Sequence, residues 1–279
     1  MQLKTLLIKI LKLNHDSEYR QLLEHIKHDK ADLEIHTDIP AVFTERAEDT
    51  FLITDSRAAA DEALQYGIGF AVYLNEESKL SSFPEALYCI EDLSVLTAAQ
   101  IERMYLRFHK LPWTIFETGR CIVREITAED VDALYQVYAD KEISRYTEDL
   151  FADKSEELAY TKDYIENQYR FYEYGMWVII RKADGRLIGR AGLSNREGFE
   201  EAELGYVIAA DCQKQGYAGE VCTAVLQYAK TELGMKAVQA FTIQENQASL
   251  ALLKKLGFSY QEQAKLSGVL YARYEIKII

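Results

Sequence analysis

The stretch Glu203-Leu204-Gly205-Tyr206-Val207-Ile208-Ala209-Ala210-Asp211-Cys212-Gln213-Lys214-Gln215-Gly216-Tyr217-Ala218-Gly219 decides the reading of this chain. Leu204, Tyr206 and Ile208 alternate with Glu203, Gly205 and Val207, the period of a strand. A short polar loop over 213–219 follows. Val221, Cys222, Val225, Leu226, Ala229 and Leu233 then recur at the spacing of one buried helix face. Strand, small-residue loop and helix start together make a cradle for an anion. The loop amides and the first helical N–H groups lack internal partners, and the helix dipole adds partial positive charge there. Gly216 and Gly219 permit positive φ and let a phosphate approach the backbone closely. A glycine at such a junction also serves simply to turn the chain, so the weight of the motif comes from its surroundings. The loop lacks the Gly-Lys-Ser or Gly-Lys-Thr ending of a P-loop and the three glycines of a dinucleotide fingerprint.

The surroundings have a definite order. Residues 121–126 read as a strand and 128–139 as a helix with Val131, Leu134 and Val137 apolar. A second helix is expected from about 155 to 174. Residues 176–181 and 187–193 alternate around Asp184-Gly185, a hairpin turn signal. After the loop and its helix come a strand over 238–243, a helix opened by Asn246-Gln247-Ala248-Ser249 and closed at Leu256-Gly257-Phe258, and a strand-like tail over 268–279.

Gln213-Lys214-Gln215-Gly216-Tyr217-Ala218 resembles the pyrophosphate loop of the GNAT acyltransferases, Gln/Arg-x-x-Gly-x-Gly/Ala, and Asn246-x-x-Ser249 followed by Leu256-Gly257-Phe258 resembles their second signature. The resemblance covers roughly residues 120–279. The run from Glu203 to Ile208, with Gln215-Gly216-Tyr217-Ala218, is most similar to the branch containing ribosomal-protein N-terminal acetyltransferases. It implies an α/β (α+β) GNAT fold with a central mixed, mostly antiparallel sheet. It also implies acetyl-CoA as cosubstrate, no metal, and transfer of an acetyl group to a primary amine, either a protein N-terminus or a small molecule. The expected CoA contacts are Tyr206, Val207 and Ile208 on the strand that leaves an edge for pantetheine, Gln213, Lys214, Gln215, Gly216, Tyr217, Ala218 and Gly219 in the loop, and Asn246 and Ser249 beyond it. Asn246 reads equally as a helix cap, and Ser249 as a donor to a CoA phosphate or a helix-start hydrogen bond. Lys214, where many branch members carry glycine, leaves open an alternative: a CoA-responsive regulatory protein with an inactive transferase domain.

Acyl transfer from a thioester needs a neutral amine, a polarised carbonyl and a proton for the departing thiolate. No histidine follows His109, so the base is a carboxylate, a tyrosine or water unless the front of the chain contributes. Glu203, on the strand feeding the loop, is the first candidate base, and an exposed strand-face glutamate is the competing reading. Glu245 is the second. Tyr271 is the candidate acid, chosen from fourteen tyrosines after Gly119, with an aromatic packed in the last hairpin as the plainer account. Glu148, Asp149, Asp153, Glu156 and Glu157, with Glu197, Glu200 and Glu201, would suit an acceptor arriving as an ammonium ion, although acidic runs are commonly solvated surface. Tyr160, Tyr164, Phe171 and Tyr174 fall at near-helical spacing and read as core rather than as a substrate box.

The chain has 279 residues, enough for two cores of about 100–200 residues each. A net charge of −13 argues against nucleic acid or an anionic bilayer as partner. Residues 3–13, interrupted by Lys9 and Lys12, read as an amphipathic helix rather than a signal peptide. No apolar run is long enough to span a membrane. Cys89, Cys121, Cys212 and Cys222 lack metal-ligand spacing and read as reduced thiols of a cytoplasmic protein, Cys212 as buried filler rather than a reactive group.

Residues 1–115 hold all five histidines and all three prolines. Strands over 50–54, 68–73 and 86–90 alternate with helices over 57–66 and 97–108, which predicts a small α/β domain with a short parallel sheet. Leu52-Ile53-Thr54-Asp55-Ser56 with Gly67-Ile68 resembles the later half of haloacid-dehalogenase-like phosphatases, but their Asp-x-Asp nucleophile motif is absent. Asp55 reads as a cation ligand or, with Ser56, as a helix cap. His25 and His28 share a helix face without a third ligand. This domain is expected to be regulatory, ligand-sensing or oligomerising, which leaves a homo-oligomer open. Residues 111–119 read as the link, and 116–279 as the transferase domain.

Overall fold

The computed structural model describes residues 2–37, 46–140, 143, 145–147 and 150–278. The chain divides into two compact units, Met1–Trp113 and Thr114–Ile279.

The first unit is a parallel sheet of β1 (Thr5–Lys9), β2 (Glu34–His36), β3 (Thr50–Thr54), β4 (Gly69–Tyr73) and β5 (Cys89–Ile90), in the order β2-β1-β3-β4-β5. This is the 2-1-3-4-5 order of a doubly wound sheet. Leu6, Ile8, Phe51 and Ile53 pack on one side against α1 (Asp16–Asp29) and α3 (Ala98–Phe108). Leu7, Leu52, Phe70 and Val72 pack on the other with Ala59, Ala60 and Ala63 of α2 (Arg57–Gln65).

Residues 3–13 are therefore not an amphipathic helix: Thr5–Lys9 is a strand buried on both faces. A short continuous apolar run has no period that separates a central parallel strand from a buried helix. The expected strand over 86–90 shrinks to Cys89–Ile90. Thr97 and Gln100 form a capping box at the start of α3. His28 is exposed beside Asp29, and His25 Nδ1 lies 3.2 Å from the Leu96 carbonyl oxygen.

The second unit is an eight-stranded sheet in the order β12-β13-β11-β10-β9-β8-β7-β6. Its strands are β6 (Thr114–Glu117), β7 (Cys121–Arg124), β8 (Met176–Arg181), β9 (Leu187–Ser194), β10 (Ala202–Ile208), β11 (Ala237–Thr242), β12 (Ser259–Leu266) and β13 (Val269–Lys277). Every neighbour is antiparallel except β10 and β11, which run parallel. The fold class expected from the sequence, a large mixed sheet and a smaller parallel one, is the one found. The helices are α4 (Val131–Tyr138), α5 (Lys154–Tyr164) continued by a π turn at Ile165–Tyr169, α6 (Tyr217–Thr231) and α7 (Gln247–Leu256).

Two details correct the sequence reading. Much of the expected link over 111–119 is structured: Thr114–Glu117 is the edge strand β6, while Trp113 is buried and donates from Nε1 to the Arg103 carbonyl at 3.0 Å. Ser259–Leu266 also forms a strand that its largely exposed polar residues did not announce. Among the described residues no helix is long and apolar enough to cross a membrane.

Candidate active site

β10 pairs with β9 along nearly its whole length, from Glu203–Ser194 to Ile208–Gly189. On its other side it meets β11 only at Ala202–Val238 and Glu203–Gln239. From Leu204 onward the edge of β10 facing β11 carries no ladder partner among the described residues. Unpaired strand-edge amides and carbonyls form a ready template for an extended guest. Gly189 lets β9 stay close beside this strand, since a Cβ there would lie 2.1 Å from the Val207 carbonyl oxygen.

The loop after β10 is held by its own side chains. Gln213 donates to the Ile208 carbonyl at 3.0 Å and Gln215 to the Asp211 carbonyl at 2.8 Å. Both glutamines, expected as CoA contacts, thus spend their amide groups on loop closure. Lys214 and Gly216 take positive φ of 59° and 86°. α6 begins at Gly216 with no side-chain cap. The backbone amides of Lys214, Gln215, Gly216, Tyr217, Ala218 and Gly219 find no acceptor in the loop or its side chains among the described residues. Successive free amides at a helix start are the donor set an anionic diphosphate requires.

Arg120, which nothing in the sequence marked, fastens the loop from the β6–β7 turn. Its Nη1 donates to the Gln215 carbonyl at 2.9 Å, its Nε to Glu220 at 2.6 Å, and its guanidinium lies 4.3 Å from the ring centre of Tyr217. Burial would push the Glu220 carboxyl up, but hydrogen bonds from Thr118 and Arg120 hold it below its usual range. Tyr217 is accordingly a buried packing residue beneath Arg120. Gly219 faces α7: a Cβ there would stand 3.7 Å from Leu252 Cδ1 and 4.0 Å from Lys255 Nζ.

The second motif meets the strand. Asn246 caps α7 by accepting from the Ser249 amide at 3.1 Å, and the Ser249 hydroxyl lies 2.9 Å from that of Tyr206. Burial raises the Tyr206 phenol above its usual value, so it stays protonated. Burial likewise pushes the Cys212 thiol up, in keeping with a filler. A shallow cleft of about 360 Å³ lies further along α6 and α7 and is lined by Thr223, Lys230 and Lys255 among others.

The three catalytic candidates are not brought together. Glu203 sits at the closed end of the β10–β11 gap, buried, with its carboxylate accepting from Arg196 Nε, and on the sheet face opposite Tyr206. Glu245 is exposed on the turn after β11. Tyr271 pairs with Ala264, one residue beyond the last β11–β13 pair, Thr242–Ala272.

Most acidic groups near the expected acceptor side are also committed. Asp153 caps α5 through the Ser155 amide at 2.7 Å, Glu157 accepts from Phe151 N at 3.0 Å, and Glu201 pairs with Arg273 at 3.1 Å. Glu197 and Glu200 are exposed, and Glu148 and Asp149 lie outside the described residues. Tyr160 and Phe171, read as core, are exposed, and Tyr169 takes the buried position instead.

Residues 120–259 match the family model of the acetyltransferase (GNAT) domain. This chain belongs to the GNAT N-acetyltransferases. Across 161 residues the enzyme is 30% identical to the N-acetyltransferase YoaA of Bacillus subtilis, covering 56% of this chain and 88% of that protein. It is 29% identical to YnaD of the same organism over 50% of this chain and 79% of the relative. Among solved structures, the ribosomal-protein-S5-alanine acetyltransferase of Vibrio fischeri superposes with a TM-score of 0.51 at 18% identity, covering 58% of this chain and 95% of that one. The RimL ribosomal-protein acetyltransferase in complex with coenzyme A gives 0.51 at 18%, over 58% and 97%. At that identity the structural likeness concerns the fold. Acetyl-CoA is the cosubstrate expected of the family.

Proposed function

We propose that the enzyme moves an acetyl group from acetyl-CoA to a primary amine across the gap between β10 and β11. The observation that carries this reading is the end of β10–β11 pairing at Glu203–Gln239, upstream of a loop whose amides from Lys214 to Gly219 find no acceptor among the described residues. Pantetheine fits the open edge as an added strand and the diphosphate fits the amides, with Lys255 beside Gly219 as a further cation for phosphate. Asn246 acts as the helix cap that holds Ser249 in place.

In the transfer step the amine nitrogen attacks the thioester carbonyl carbon. A backbone N–H in the 206–208 segment steadies the developing oxyanion. The C–N bond forms, the C–S bond breaks, and the thiolate takes a proton. The hydroxyl pair of Tyr206 and Ser249 is better placed than Tyr271 to give that proton, because Tyr206 stands on the open strand itself. The amine loses its proton through water to Glu203, the candidate base, whose carboxylate is ion-paired to Arg196 at the closed end of the gap. Glu245 has no part in this reading.

The front unit is read as a non-catalytic module. Its Asp55 is buried and fully engaged, accepting from the amides of Leu11 at 2.8 Å and Lys12 at 3.0 Å and from Asn75 Nδ2 at 2.7 Å. Ser56, not Asp55, caps α2. The sheet end where a doubly wound domain binds its ligand is thereby stitched together.

The test is calorimetric titration of the full-length protein with acetyl-CoA, followed by amine-dependent release of free thiol. Micromolar binding with amine-dependent release is expected. Binding without release from any amine would favour a CoA-responsive regulatory role, and a folded protein that does not bind would sink the reading.

A further inference from the structure

Arg190 interrupts the apolar strand β9 and has no counter-ion among the described residues. It pairs across the sheet with Val207 of β10 and Val178 of β8, so its side chain leaves on the face of Gly205 and Glu203, away from Tyr206. Its Nε is sealed from solvent with no hydrogen-bond partner among the described residues. No carboxylate pairs with it among the described residues. The groups acting on it most strongly are four phenols, those of Tyr138, Tyr169, Tyr164 and Tyr160. Burial raises the Tyr164 and Tyr169 hydroxyls, so these two stay neutral and supply no counter-charge. The buried acid Glu125 acts on Tyr164 and Tyr169 but is not among the strongest influences on Arg190. A buried guanidinium nitrogen without an acceptor is costly, and such an orphan donor calls for a partner that arrives with a ligand.

The surrounding wall is built to last. The π turn at Ile165–Tyr169 puts Tyr164 and Tyr169, five residues apart, on one face, and such turns recur at functional sites. Both rings hold the first residue of β8: Met176 N donates to the Tyr164 hydroxyl at 2.8 Å, and the Tyr169 hydroxyl donates to the Met176 carbonyl at 2.6 Å. Next to Arg190 on the same face, Gly205 is covered by the Met176 thioether, its Sδ 3.1 Å from where a Cβ would stand. That cover is flexible and can yield to a ligand.

We propose that Arg190 docks an anionic group of the acceptor, so that the acceptor is a small amine that also carries a carboxylate, an amino-acid-like molecule. The inference rests on the transferase reading above. Val207, directly across from Arg190, belongs to the segment assigned to the acetyl carbonyl, and facing Cβ atoms in a sheet are about 5 Å apart. An amine and a carboxylate separated by a few bonds can therefore reach both. A polyamine offers Arg190 nothing and brings it a second cation. Several of the acids that might have received such a cation, Asp153, Glu157, Glu201 and Glu203, are spent on caps and ion pairs.

The experiment compares kcat/KM of the full-length enzyme for matched pairs: leucine and isopentylamine, lysine and cadaverine, arginine and agmatine. Acetyl-CoA binding is measured in parallel by calorimetry. The carboxylated member should be preferred by about tenfold or more, the scale of one charge-assisted bidentate contact. Arg190→Met should erase that preference through KM while acetyl-CoA affinity holds, and Arg190→Lys should keep part of it. Equal or better turnover of the decarboxylated amines, or a preference that survives Arg190→Met, overturns the assignment. So does acetyl-CoA binding without turnover of any carboxylated member, which leaves the transferase reading standing. Loss of acetyl-CoA binding in the wild type would fell both. If Arg190→Met does not fold, the wild-type pairs and Arg190→Lys still decide.

Discussion

Gly216→Ala, set against Gly234→Ala, tests the phosphate loop with an internal control. Both glycines have positive φ, 86° and 63°, and they bracket the same helix, Gly216 at its start and Gly234 in the turn after its end. Neither site is crowded: a Cβ at Gly216 would meet Arg120 Nη2 at an ordinary 3.5 Å, and one at Gly234 would meet nothing within 4 Å. The cost at each is therefore conformational, about 1–2 kcal/mol for an L-residue in the left-handed region. At Gly234 that strain only lowers stability. At Gly216 the free loop can relax to ordinary φ, turning its amides away, and acetyl-CoA must then restore the strained form. The strain energy is the ceiling on that penalty, which converts to a loss of about 5- to 30-fold in affinity. Urea unfolding should show the larger destabilisation for Gly234→Ala, because the relaxed Gly216→Ala loop escapes its strain until acetyl-CoA binds, while calorimetry shows weakened acetyl-CoA binding for Gly216→Ala alone. Unchanged affinity in Gly216→Ala, or an equal loss in Gly234→Ala, would refute the assignment of these amides to the diphosphate.

Tyr206→Phe and Ser249→Ala should each lower kcat by about 10²-fold, the lower range for a positioned proton donor, with acetyl-CoA affinity held; normal kcat in both would remove the hydroxyl pair from the mechanism. Asp55→Ala should destabilise the chain by about 3 kcal/mol in urea titration, because it orphans two backbone amides and Asn75. Millimolar magnesium should leave the wild-type Tm unmoved, since the Asp55 oxygens are already engaged. For Asp130, burial pushes the carboxyl up, but hydrogen bonds from Arg124 at 2.7 Å and from Thr127 outweigh it, so the folded value lies below the ordinary one. A depressed carboxyl stabilises above its unfolded value of about 3.9 and loses that contribution as pH falls through the folded value. Arg124→Ala should therefore cost about 2–3 kcal/mol at neutral pH, with the difference from wild type shrinking below about pH 4 in acid-unfolding curves.

The elements that could be read from the sequence carry their signal within a few neighbours. Asp184-Gly185 sets the β8–β9 hairpin because the turn needs positive φ, and Gly185 has φ of 69°. Thr97 with Gln100 announces a helix start through the groups that cap it. Failures came where the deciding partner is distant. Thr5–Lys9 is a strand because β2 and β3 flank it, a fact its own apolar run cannot express. The same distance explains Asp55, whose partners Leu11, Lys12 and Asn75 come from two other strand-end loops.

The two sides of the active site divide along this line. The proposed CoA side is backbone: free amides among the described residues and an open edge, whose geometry follows from the glycine at 216 and from the abrupt end of strand pairing after Glu203. A short motif suffices to specify it, since the donors are main-chain amides and the positive φ at Gly216 is the conformation that a side chain would strain. The acceptor wall is made of side chains drawn from separate segments: Tyr138 from α4, Tyr160 and Tyr164 from α5, Tyr169 from the π turn, and Arg190 from β9. None of these residues is unusual where it stands, and only their convergence creates a sheltered cation. One local hint was present, a charged residue within the apolar run Leu187–Ser194, which in a half-exposed strand would mean nothing. It gains meaning only because helices cover that face of the sheet, so that Arg190 is left for the acceptor to satisfy.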